Sequence, residues 1–164
     1  MLCCFRKQER QQQTIPTEPS SSSRSSQDTS LSARWIMGNS NLKQHIETAQ
    51  KTGACQLRHL HLKEVPEELQ KLAKNLRTVD LSDNKIPQLP PWFVTFSTLK
   101  NLTMNSCKLV SLPDDFGQLK KLEVVSLIDN SLTGLPHSFT SLTNLKTLNL
   151  SKNHFKSFPV EILP

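Results

Sequence analysis

Tyrosine is absent from the chain and all aromatics together make up 5% of it, which excludes a core built mainly on ring packing. Glycine is nearly as scarce. Its four copies, Gly38, Gly53, Gly117 and Gly134, stand too far apart for a phosphate cradle, and no G-x-S-x-G, P-loop or H-E-x-x-H pattern occurs. The chain thus carries no catalytic signature, and neither a cofactor nor a small-molecule substrate is expected. No apolar run approaches the roughly 18 residues of a membrane-crossing helix, and "MLCCFRKQER" turns charged at Arg6 before a signal-peptide core can build. A chain of this kind is expected to fold in the cytoplasm. Cys3, Cys4, Cys55 and Cys107 form no C-x-x-C pair and no zinc or disulfide spacing, so they read as reduced thiols without a metal.

What is present is positive charge, leucine and a repeat. The formal charge is +6, but Lys43, Lys51, Lys71, Lys74, Lys85, Lys100, Lys120 and Lys121 are scattered without aromatic interleaving. That pattern favours a solvated surface over a nucleic-acid partner. His59 and His61 lie near Asp80 and Asp83 in the repeat, but no nucleophile stands beside them, so they read as surface histidines.

Residues 1–36 hold eight serines, the run Gln11, Gln12 and Gln13, and few large apolar residues. Such a segment cannot bury enough surface to offset the entropy of ordering, and a disordered tail is expected. Glu9, Glu18 and Asp28 argue against a mitochondrial presequence. Residues 37–53 form an N-terminal segment in which Leu42, Ile46 and Ala49 share one helical face. A capping helix is expected over 41–52, with Asn41 as its N-cap and Gly53 as its stop.

From there a 23-residue step governs the chain. It relates Leu76, Leu99, Leu122 and Leu145; Pro90, Pro113, Pro136 and Pro159; and Asn84, Cys107, Asn130 and Asn153. The template is L-x-x-L-x-L-x-x-N/C-x-L-x-x-L-P-x-x-F-x-x-L, within the leucine-rich repeat range. Residues 76–164 hold four such units, the last incomplete. Residues 54–75 hold a degenerate capping unit in which Cys55, Leu57, Leu62, Val65, Pro66, Leu69 and Leu72 fit but Leu60 takes the Asn column. The expected fold class is α/β: a leucine-rich repeat solenoid, or horseshoe, with a short parallel sheet on the concave side. Because proline lacks an N–H, the convex limb should run as loop or 3-10 turns rather than pair as a second sheet.

Apolar columns point inward and stack on neighbouring units, each large side chain contributing roughly 1.5–3 kcal/mol. The Asn column also points inward, where its amide can satisfy backbone groups freed as the chain leaves the strand. A buried Cys107 fills this column structurally, at a cost of about 1 kcal/mol in hydrogen bonding. A reactive or metal-binding thiol is the rival reading.

Strand positions that alternate with the leucines should face the concave surface. One row reads Gln56, Asp80, Thr103, Ser126, Asn149; a second Thr78, Asn101, Val124, Thr147; a third Arg58, Ser82, Asn105, Ile128, Ser151. Hydroxyls and amides in lines suit a protein partner, with Val124 and Ile128 as apolar anchors, while plain solvated strands remain the alternative. The sequons at Asn101 and Asn149 fall inside these strands and read as accidents of composition.

Two starts carry lipidation signals. Cys3 and Cys4 beside Arg6, Lys7 and Arg10 could take two palmitoyl chains if translation begins at Met1, although unmodified thiols are the simpler reading. Gly38 could take myristate if it begins at Met37, although Leu42 replaces the usual Ser or Thr. Either would make a lipid-anchored peripheral protein.

From Met37 onward, "MGNS", "HIETAQKTG", "LQKLAKNLRTVDLSDNKI" and the repeated units resemble the Ras-suppressor-like group of intracellular leucine-rich repeat proteins. The resemblance implies a non-catalytic intracellular protein with an N-myristoyl glycine, here Gly38, and allows a regulatory or scaffold role in small-GTPase or phosphatase signalling. It covers Met37 to Pro164. Two departures stand out: 36 leading residues would block Gly38, and the family continues past the point where this chain stops, as an alternative transcript or fragment would. Leu145, Leu148 and Leu150 would then be covered on one side only, and the isolated chain should fray or self-associate there.

Overall fold

The computed structural model describes residues 40–156. The serine-rich tail, Cys3, Cys4, Gly38 and Pro159 lie outside the described residues. Helix α1, Ser40–Thr52, seats Leu42 and Ala49 in the core with Ile46 partly buried beside them. Asn41 stands within this helix rather than ahead of it, which corrects its expected role as the cap. Starting at Ser40 completes the turn that presses Leu42 onto the first coil. Gly53 ends the helix in the left-handed region, φ 73°, with its N–H donating to the Ala49 carbonyl at 2.9 Å.

Five three-residue strands follow: β1 Ala54–Gln56, β2 Thr78–Asp80, β3 Asn101–Thr103, β4 Val124–Ser126 and β5 Thr147–Asn149. They form one parallel sheet in chain order. Thr78 pairs with Asn101 and Asn101 with Val124, which is the 23-residue step; Ala54 pairs with Thr78, so the first coil is one residue longer. The extra residue falls between Leu72 and Leu76, so the positions before it keep one constant offset and Leu60 stands directly in the place of Asn84.

The central residue of each strand points inward. Cys55, Val79, Leu102 and Val125 are fully buried, and Leu57, Leu81, Met104 and Leu127 form the next inward layer. In the last coil Leu145, Leu148 and Leu150 are partly buried. On the outer limb lie 3-10 turns at Glu67–Leu72, Pro91–Thr95, Phe116–Gln118 and His137–Ser141. Each begins with a proline carbonyl accepting the amide three residues on: Pro66 from Leu69, Pro90 from Phe93, Pro113 from Phe116 and Pro136 from Phe139, at 2.9–3.1 Å. The proline column therefore fixes the entry to the turn as well as keeping the limb out of a sheet. Among the described residues the outer limbs meet as β structure only in the Gln88–Ser111 bridge. Among the described residues most aromatics lie here: Phe93 meets Phe96 edge to face at 4.8 Å, and Phe116 stacks on Phe139 at 5.9 Å.

Candidate interaction surface

Parallel register turns equal sequence positions into spatial rows. Thr78, Asn101, Val124 and Thr147 stand side by side, as do Asp80, Thr103, Ser126 and Asn149. Thr147 is exposed and the other seven are half-buried, their outer atoms reaching solvent between buried neighbours. Gln56, exposed, continues the second row into β1. Several of these groups are already engaged. Asp80 Oδ1 accepts from the Ser82 amide at 3.0 Å, and Asn149 Oδ1 from the Ser151 amide at 3.1 Å.

The third row departs from a free docking face. Ser82 is fully buried, not exposed, and its hydroxyl accepts from the Asn105 amide at 3.2 Å. Asn105 Oδ1 in turn accepts from the Ser126 hydroxyl and the Ile128 amide, both at 2.9 Å. Asn105 is thus a fastening between coils; its only sequence signal was its place two residues past the strand, where backbone amides need acceptors. Ile128 and Val124 remain half-exposed apolar side chains among hydroxyls and amides. At the β1 end the face is charged, with Arg58 Nε 3.3 Å from Asp80 Oδ2. His59 Nε2, well exposed, lies 3.4 Å from Oδ2 of half-buried Asp83, and His61 is exposed too.

Behind this face runs the asparagine column. Asn84 Oδ1 accepts from the Leu62 amide at 3.0 Å, and its Nδ2 donates to the Leu57 and Leu81 carbonyls at 2.7 Å. Asn130 Oδ1 accepts from the Cys107 and Leu109 amides at 3.1 and 3.0 Å, and its Nδ2 donates to the Met104 and Leu127 carbonyls at 2.7 and 3.0 Å. Asn153 repeats the pattern on Leu132, Leu127 and Leu150. Cys107 reproduces the donor half alone: its Sγ donates to the Leu81 carbonyl at 3.1 Å. A thiol has no carbonyl oxygen to accept from the Ile86 amide, the group matching Leu62 and Leu109. Cys107→Asn is therefore expected to stabilise the fold by about 1 kcal/mol, raising the thermal midpoint by a few degrees. A lowered midpoint would show that the site is too tight for the amide.

Burial pushes the Cys107 thiol up to about 11 and the Cys55 thiol to about 12. Both therefore stay protonated and unreactive near neutral pH. In the unfolded chain these thiols ionise near their ordinary value of 9.0. Their contribution to stability is present below about pH 9 and is lost as pH rises toward 11–12, because the unfolded state then holds fewer protons. Peptide-mapped alkylation at pH 8 should modify Cys55 and Cys107 only when denaturant is added; rapid labelling of the native chain would contradict the buried placement.

A further row borders the sheet where each coil enters its strand. The Arg77 amide donates to the Gly53 carbonyl, Lys100 to Arg77, Glu123 to Lys100 and Lys146 to Glu123, each at 2.7–2.8 Å. Arg77, Lys100 and Lys146, far apart in the chain, are thereby brought onto one edge. Glu123 is clasped by Lys100 Nζ and Lys146 Nζ, each at 2.7 Å. Hydrogen bonds from Lys100 and then Lys146 hold its carboxyl down at about 2.

A parallel sheet one strand per coil, a buried asparagine ladder and a convex limb of proline-started turns together define a leucine-rich repeat solenoid. Residues 37–163 match the family described as Leucine-rich repeat region, and the chain belongs to that family. It is similar to plant intracellular Ras-group-related LRR protein 7 of Oryza sativa subsp. japonica, 34% identical over 68 residues, or 42% of this chain and 26% of the rice protein. Among solved structures it is similar to a leucine-rich repeat protein of Leptospira interrogans, with TM-score 0.60 and 43% identity over 62% of this chain and 26% of that one. The BIR2 ectodomain of Arabidopsis thaliana shares the fold at TM-score 0.51 and 24% identity, covering 66% of this chain and 59% of the ectodomain. This chain thus spans about a quarter of the length of the rice and Leptospira proteins.

Proposed function

We propose that the chain is a non-catalytic interaction module that takes a protein partner on its concave face, through Thr78, Asp80, Asn101, Thr103, Val124, Ser126, Ile128, Thr147 and Asn149. Leucine-rich repeat proteins commonly mediate protein–protein interaction through such surfaces. The observation that carries the reading is the placement of Val124 and Ile128 as half-exposed apolar groups amid aligned polar ones. A central apolar contact within a hydrogen-bonding rim is what a specific interface needs. The test is comparative capture: a partner held by the parent chain should be lost with Val124→Glu and Ile128→Glu but kept with Thr133→Glu on the outer limb, all three melting like the parent. Equal capture by all would refute the concave site.

A second reading, a regulatory or scaffold subunit in small-GTPase or phosphatase signalling, draws on the rice relative, whose name marks it as intracellular and Ras-group-related. It also draws on the resemblance of Met37–Pro164 to leucine-rich repeat-containing protein 57. Binding to a panel of nucleotide-loaded small GTPases tests it, and no binding in either nucleotide state would count against it. Among the described residues no helix is long and apolar enough to cross a membrane. A cytoplasmic protein anchored by myristate on Gly38, or by palmitate on Cys3 and Cys4, fits this setting; intact-mass measurement of the cellular protein distinguishes the two starts and reads either acyl group directly.

A further inference from the structure

The row beside the sheet is one-sided in charge. Arg77, Lys100 and Lys146 hold three of four successive rungs of a backbone ladder, Glu123 the other, and Lys74, Lys120 and Lys121 lie in the turns that lead into it. All six cations are exposed. Rungs of a parallel sheet are spaced about 4.8 Å, so the side chains issue in a straight file along the solenoid. Glu123 is the one acid in the file, and Lys100 and Lys146 enclose it. The hydrogen bonds and exposure make the edge a continuous cationic strip broken by a single internal counter-ion.

We propose that this edge lies against an anionic phospholipid surface. A folded acidic protein would need apolar or aromatic anchors among the charges, and the strip holds none. Val110, the exposed large hydrophobic among the described residues, sits on the outer limb, where its amide donates to Pro87. Single-stranded nucleic acid would call for aromatic stacking platforms, also missing from this edge. Long, solvated lysines in a file without a groove suit a flat field of headgroups, attracted within a Debye length. The contact is independent of the sheet-face reading and of either acyl group, and it turns the solenoid on its side, leaving the concave face free.

The test uses the unacylated full chain and flotation with phosphatidylcholine vesicles with and without phosphatidylserine. Binding should require phosphatidylserine and vanish in about 1 M salt, where the screening length falls to a few ångströms. Lys74→Glu with Lys121→Glu should weaken it at least about tenfold. A charge-matched control, Lys85→Glu with Lys108→Glu on the far side of the strands, should leave it within about twofold of the parent. Glu123→Gln should strengthen binding by freeing both lysines, a sign that a merely structural ion pair does not predict. The proposal is overturned if phosphatidylserine makes no difference, if the control pair weakens binding as much as the edge pair, if Glu123→Gln does not strengthen it, or if a polyglutamate peptide or an RNA oligonucleotide binds with the same variant pattern. Matching thermal midpoints show that each variant is folded.

Discussion

Asn130→Ala is expected to lower the unfolding free energy by about 3–4 kcal/mol, without changing the denaturant slope. The side chain is buried and holds two amides, of Cys107 and Leu109, and two carbonyls, of Met104 and Leu127. Alanine strips all four at once, and each buried polar group left unpaired costs about 1 kcal/mol or more. Those four groups belong to two successive coils, so the loss also loosens the seam between them, and a stack of repeats depends on such seams. Asn130→Asp keeps the acceptor but turns a carboxylate toward two carbonyls, and it should be at least as damaging. Asn153→Ala, in a half-buried setting that water can enter, should cost about 1 kcal/mol. Urea unfolding of the three variants checks the order; an Asn130→Ala chain within about 1 kcal/mol of the parent would show that the backbone finds other partners.

Gly117→Ala should cost about 3 kcal/mol, although alanine is the better helix former. The strain is not in the dihedral. A Cβ built on Gly117 falls 1.9 Å from the Ser138 carbonyl oxygen and 2.7 Å from its carbonyl carbon, so backbone would have to move. The 3-10 turn Phe116–Gln118 would be driven off His137–Ser141, breaking the 3.0 Å bond from the Gly117 amide to the Ser138 hydroxyl and parting the Phe116–Phe139 stack. Gly134→Ala is the control: its added carbon meets nothing within 4 Å, and the change should be neutral or slightly stabilising. Thermal melts of the pair separate close packing from glycine's backbone freedom; equal midpoints would mean that the outer turns slide apart at little cost.

The 23-residue step made the sheet, the inward columns and the two strand rows legible, because parallel register maps equal positions onto neighbours. What escaped that logic has physical reasons. Ser82 reads as a polar surface residue, yet its small hydroxyl fits inside against the next coil's amide. Asn105 looks like one more strand-edge amide, and only the geometry shows it gripping Ile128. The close approach at Gly117 has no counterpart in the other units, which carry Val94 and Thr140 there, so no column announced it. The cationic edge was hidden because its row mixes Arg77, Lys100, Glu123 and Lys146, with an acid among the cations, and therefore shows no constant letter.

The clasps of the asparagine column all reach toward the preceding coil. Asn84 reaches back to Leu57 and Leu62, Asn130 to Met104 and Leu109, and Asn153 to Leu127 and Leu132, each holding the loop of the coil before it. On a ribosome, a coil emerges before the residue that fastens it has been made, and at about 5–20 residues per second the wait is on the order of seconds. Nascent coils should therefore mature one behind the tip of the growing chain, the newest always unlatched.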